Sequence, residues 1–245
     1  EVGVGGFLPI FVGNNSVFYF DAQINANFDD FNYYSSIVSS TVGGTTFSTS
    51  SRLGYRWLNK DRSWMYGING GYDTRPMATG YTDVGIPVVN KKTVFFQQVA
   101  LELEAVSENF ILNAYTLRGE GITEYAVNNV FDGGSLDTYG CNAGFFITPK
   151  INALVGYYYQ DGDDDDADGP GVKTRLTLEI APGVELGGTY SYDEAFESRV
   201  SADLIVRFGG GSHNQNRKTE TKPQIKGLTA TPSNRDVRVH DCCYG

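Results

Sequence analysis

Apolar and polar side chains alternate with a period of two along most of this chain, and that pattern constrains its fold more than any other feature. In residues 63–73 one face reads Trp64, Tyr66, Ile68, Gly70, Tyr72 and the other Met65, Gly67, Asn69, Gly71, Asp73. In 172–180 Val172, Thr174, Leu176, Leu178 and Ile180 oppose Lys173, Arg175, Thr177 and Glu179. In 196–208 an apolar row from Phe196 to Phe208 opposes Glu197, Arg199, Ser201, Asp203 and Arg207. A two-residue period is the signature of a strand, because successive side chains leave opposite faces.

Eleven such segments are readable, at about 1–12, 16–28, 46–58, 63–73, 92–105, 109–118, 135–147, 150–160, 171–181, 184–192 and 196–208. Most have about ten residues, the length a tilted strand needs to cross the hydrocarbon of a bilayer. Their connections alternate. VGNNS, NKDRS, VSEN, TPK and APG are tight, whereas 29–45, 74–91, 119–134 and 161–170 are long and polar, with only the short YDEA loop out of step. A soluble sandwich, even one with a lectin-like groove, would show alternation without long loops gathered at one end. A transmembrane barrel requires both features, with its apolar face outward and its polar face inward.

The reading is therefore all-β: an antiparallel up-and-down transmembrane barrel in the bacterial outer membrane, built from residues 1–209. Eleven strands are readable and twelve expected, since bacterial single-chain barrels have even strand numbers. Residues 210–245 form an irregular tail. Thirty glycines, sixteen tyrosines and fifteen phenylalanines suit this class, and no apolar run is long enough for a membrane helix. The net charge of −10 argues against a nucleic-acid partner. Charge also marks the boundary: residues 212–245 carry six Lys+Arg against three Asp+Glu, the reverse of the acidic remainder.

On this reading Tyr55, Trp57, Trp64, Tyr66 and Phe208 form part of an interfacial aromatic girdle, and the bilayer is the first partner. The expected lumen lining is Arg52, Arg56, Glu102, Glu104, Lys173, Arg175, Glu179, Glu185, Arg199, Asp203 and Arg207. These charges either set solute selectivity or pair with one another around a threaded segment. The basic tail favours the second, with Arg217, Lys218, Lys222 or Arg235 near inward carboxylates such as Glu102, Glu179 or Asp203.

Other chemistry finds little support. The only histidines, His213 and His240, lie in the tail, so the barrel has no base for a Ser-His-Asp or Cys-His site. Glu102 and Glu104 share a face, as i and i+2 do in any strand, and no phosphate loop occurs. The expectation is a non-enzyme without cofactor. In DGDDDDADGPG, Asp161, Asp163 and Asp165 offer alternate carboxylates to Ca²⁺, but Val172 stands where an EF-hand places its closing Glu, and a solvated acidic loop explains the run as well. Cys141 and the adjacent Cys242 and Cys243 give no disulfide framework.

The series FLPIF, SVFYFDAQINANFDD, SRLGYRWLNKDRSWMYGINGGYD, FFQQVALELEAVSENFILNAY, INALVGYYYQDGD and ELGGTYSYDEAFESRVSADLIVRF resembles the β-domain of inverse autotransporters, the intimin and invasin group. The resemblance spans residues 6–208 and is most specific at GYRWL, a turn, and Y-G-x-N-x-x-Y-D. It implies a twelve-stranded barrel, a linker threaded through the pore and a passenger displayed outside, with LTATPSNRDVRVHD at the junction. Residues 1–12 then correspond to the family's second strand, and a further strand is expected to precede Glu1, between 1–12 and 196–208. The implied function is a translocator and anchor exposing a C-terminal segment at the cell surface for adhesion, with a host or neighbouring-cell receptor as partner of a downstream passenger. The aromatic end of the last strand resembles a signal for the barrel-assembly machinery. The alternative is a passive or plugged porin-like structural pore without passenger.

Overall fold

The structure is a computed structural model and describes residues 2–28, 37, 40–82, 89, 92–121, 125–162, 168–181, 183–206 and 222–243. Eleven strands form one antiparallel path, each bonded to its neighbour in chain order. They are β1 (Val2–Val12), β2 (Ser16–Asn27), β4 (Thr46–Leu58), β5 (Trp64–Thr82), β6 (Thr93–Ser107), β7 (Phe110–Gly119), β10 (Asp137–Thr148), β11 (Ile151–Asp161), β12 (Gly169–Ala181), β13 (Val184–Asp193) and β14 (Glu197–Val206). A short β3 (Ser40–Val42) pairs with β5, and β8 (Tyr125–Ala126), β9 (Phe131–Ser135) and β15 (Val239–Cys243) make a separate three-stranded sheet. A short helix, α1 (Pro223–Gly227), precedes β15 in the chain.

All eleven expected strands are present, and the all-β barrel reading holds. Among the described residues no pairing joins β1 to β14, so the curled sheet is open along that line. Three expectations need correction. The stretch 74–91 is not loop from its start, because β5 continues to Thr82 and pairs with β6 as far as Ala78 and Thr93. Its Pro76 is tolerated because it lies beyond the last rung with β4, at Thr49 and Thr74, and before the rung of Val42 with Thr79. The loops 29–45 and 119–134 also contain strand, and the tail is not wholly irregular.

The usual distribution of side chains is inverted. Val200 and Val4 are 82 % and 75 % exposed, whereas Arg52 and Arg56 are 1 % exposed. In water such an apolar exterior would drive association; in hydrocarbon it is the face a barrel must present. Between neighbouring strands antiparallel pairing satisfies the backbone groups, as a bilayer demands.

Polar side chains fill the interior because glycines make room. Tyr19 stands opposite Gly54, Tyr115 opposite Gly140 and Tyr158 opposite Gly171 in the register of adjacent strands. A Cβ at Gly140 would lie 2.3 Å from the Tyr115 ring, and one at Gly171 would lie 2.2 Å from that of Tyr158. Each ring lies flat against the wall over a neighbour without a side chain. The conventional apolar core is displaced to the long-loop end, where Ile37, Val42, Met77, Val94, Phe96, Val127, Val237 and Val239 pack together.

Candidate functional site

The lumen holds a ladder of ion pairs on the inner wall. Arg52 grips Asp73 through two bonds of 2.6 and 2.7 Å, both side chains 1 % exposed. Arg56 holds Glu104 in the same forked way at 2.7 and 2.8 Å and lies 4.6 Å over the Tyr19 ring. Arg175 bridges to Asp203 at 2.6 and 2.8 Å. Each pair joins different strands, so alternation along the chain sets the inward side and register sets the partner. Bidentate geometry matters here, since burial of two charges is repaid only when both remain well bonded.

Residues 222–243 run through this ladder from the tight-turn end to the long-loop end. Lys222 pairs with Glu108 at 2.8 Å, and Gln224 donates to the Arg62 carbonyl in the NKDRS turn at 3.1 Å. One turn later Lys226 meets Glu179 at 2.5 Å. Higher in the barrel Arg56 donates to the Ala230 carbonyl, Ser233 and Asn234 donate to Glu102, and Arg235 pairs with Asp21. Near the top Arg75 pairs with Asp236 at 3.2 Å, and Arg238 with Asp193 at 2.8 Å. The chain then enters β15, antiparallel to β9 from Val239 opposite Ser135 to Cys243 opposite Phe131. The tail touches side chains of strands from β2 round to β13, so the sheet wraps it. Between tail and wall a cavity of about 60 Å³ remains, lined among others by Tyr115, Tyr158, Lys173 and Arg238.

All the expected lumen residues but Arg207 fall among the described residues. Arg52, Arg56 and Glu102 are buried inside, and Glu104 nearly so. Lys173 donates to Tyr115 and Asn234, and Glu179 binds Lys226. Glu185 and Arg199 are half-buried on the inner face, Arg199 with its guanidinium 5.2 Å from the Phe196 ring. Asp203 binds Arg175 and, among the described residues, meets no cation of the tail. Of the tail cations expected near inward carboxylates, Arg235 reaches the inward Asp21 and Lys222 reaches Glu108. Arg217, Lys218, Arg207, Phe208, Asp163 and Asp165 lie outside the described residues, and Asp161 ends β11, exposed.

The girdle residues cluster outside. Tyr55, Trp57 and Tyr66 are 37–41 % exposed, and rings stack from Tyr55 to Trp57 at 5.6 Å and from Trp64 to Tyr66 at 6.2 Å. A second row, Tyr72, Tyr139, Tyr159 and Tyr192, is exposed towards the long-loop end. Sequence reasoning omitted Asp21, Asp73, Asp193, Asn69, Asn113, Asn234 and Arg238 from the lining. The wall residues among them occupy inward positions of the same alternation, so that signal was available; Asn234 and Arg238 lie in a tail without periodicity.

An apolar exterior, two aromatic rows and a charge-paired interior define a transmembrane β-barrel of the bacterial outer-membrane type. No family model matches the sequence, and no characterised protein matches it at the level of sequence. The fold is similar to that of a solved chain described under "Unveiling the Mechanism Behind the in-meso Crystallization of Membrane Proteins". The TM-score is 0.68 at 11 % identity, covering 98 % of this chain and 92 % of that one. Weaker likenesses join it to the outer membrane phospholipase of Salmonella typhi, solved as a dimer with bound calcium (TM-score 0.46, 12 % identity, 84 % and 77 % covered), and to Escherichia coli outer membrane phospholipase A (0.43, 12 %, 84 % and 77 %).

Proposed function

We propose that this protein is an anchor and translocator of the inverse-autotransporter kind, which holds itself in the bacterial outer membrane and exposes the polypeptide following its last strand. One observation carries the reading: residues 222–243 enter at the tight turns and leave among the long loops, through a lumen that pairs with them at every level. Tight turns belong to the periplasmic side of an outer-membrane barrel and long loops to the outside, so the C-terminal end points outward. The mechanism is physical. Strand pairing satisfies the wall in lipid, and the polar lumen lets one extended chain pass. Assembly by the barrel-assembly machinery and adhesion through a downstream passenger belong to the same proposal.

A plugged barrel with a purely structural role is the second reading, favoured by the tail's occupation of the lumen, where it bonds to Arg56, Glu102 and Asp21. An epitope fused after Gly245 separates the two. Antibody binding to intact cells is expected for the anchor. Binding only after the outer membrane is permeabilised would overturn that reading.

A further inference from the structure

Glu102 is 2 % exposed and, among the described residues, touches no cation of the tail. Its carboxylate instead gathers amides and a hydroxyl: Asn69 donates to it at 3.1 Å, Ser233 at 3.0 Å and Asn234 at 3.0 Å, with Asn113 also bonded. Two of these donors belong to the wall and two are consecutive residues of the tail. The Asn234 amide also reaches Asn113 at 3.1 Å, its side-chain oxygen accepts from Lys173 at 2.9 Å, and its backbone carbonyl accepts from Arg52 at 3.1 Å. Four wall residues from β4, β6, β7 and β12 thus converge on one tail residue. Asn234 also has a φ of 56°, the left-handed region that asparagine tolerates better than other residues with side chains.

We propose that Glu102, Asn113, Lys173 and Arg52 form a register latch that recognises Asn234 and stops the threaded tail at one position. The inference rests on the reading of the tail as a translocated linker and adds what halts it. A polar lumen alone would let an extended chain slide, exchanging one set of bonds for another. Here sliding is penalised in both directions. Advance by two residues brings Pro232 to the site, whose ring fixes φ near −65° and excludes the left-handed turn. Retreat by two sets the Asp236 carboxylate against Glu102, like charge on like. Retreat by one sets Arg235 beside Lys173. Beyond the latch, the register it fixes aligns Val239–Cys243 with β9, so the two contacts are coupled.

Hydrogen exchange on the full chain in detergent micelles tests this. In the parent protein the amides of 239–243 are expected to be protected. Asn234→Gly keeps the backbone conformation accessible and removes the amide, and Glu102→Gln weakens the same site from the wall. Either change should speed exchange at 239–243 by about tenfold or more, while β11 to β13 stay protected. Parent-like exchange at 239–243 in both variants would overturn the latch. Unprotected 239–243 in the parent would instead sink the threaded-tail reading together with it.

Discussion

At the scale of single residues, the interior is organised by charges that hold each other rather than by apolar packing. Arg52 and Asp73 are both 1 % exposed and bonded twice. Arg52→Ala leaves a buried carboxylate without its cation, and such a change costs about 3–5 kcal/mol. Urea unfolding from vesicles should show that loss; a change below about 1 kcal/mol, the range of exposed pairs, would place the site in contact with water. The inward glycines make a second prediction. With a Cβ 2.3 Å from the Tyr115 ring, Gly140→Ala should destabilise by about 1–3 kcal/mol, the range for overpacking. Shortening the opposing ring by Tyr115→Leu in the same chain should recover part of the loss, which a defect unrelated to that contact would not do.

At the scale of elements, each strand presents one face to lipid and one to the lumen, so adjacent residues answer differently to the same substitution. Leu176 is 53 % exposed at the centre of β12, and Thr177 is half-buried on the inner face. An arginine at 176 should cost roughly 2–4 kcal/mol, the range for a cation at the bilayer midplane, whereas Thr177→Arg should be tolerated. Folding into vesicles measures both, and equal penalties would contradict the assignment of faces. The sequence carried this level well because a two-residue period is local. It failed where pairing, not pattern, extends a strand: β5 runs on to Thr82 because β6 and β3 are there to bond it.

At the scale of the whole molecule, the two ends differ. Lys60, in the NKDRS turn, and Glu120, beyond β7, lie at opposite ends and are both exposed. With cysteine at each in turn, a membrane-impermeant thiol reagent on intact cells should label Glu120→Cys and leave Lys60→Cys unlabelled; the reverse pattern would invert the topology. At the long-loop end the apolar cluster around Phe96 and Val239 packs together and β15 pairs with β9. The tail is thereby held outside the bilayer core as well as within the lumen. The free edges of β1 and β14 remain the one line along which the wall is unpaired among the described residues, and an unpaired edge in hydrocarbon costs several kcal/mol per backbone group.

Composition and alternation alone determined that this chain is a membrane barrel, which side chains face lipid, and where most strands begin and end, because each depends on neighbours one or two residues apart. They also determined the inward set to which Arg56, Glu102 and Lys173 belong. Only the tertiary structure decided which of those charges meet. Arg175 took Asp203, Lys226 took Glu179, and Glu102 took Asn234. Such partners are separated by up to 132 positions along the chain, and their meeting is set by strand register and by the path of a tail that has no period of its own.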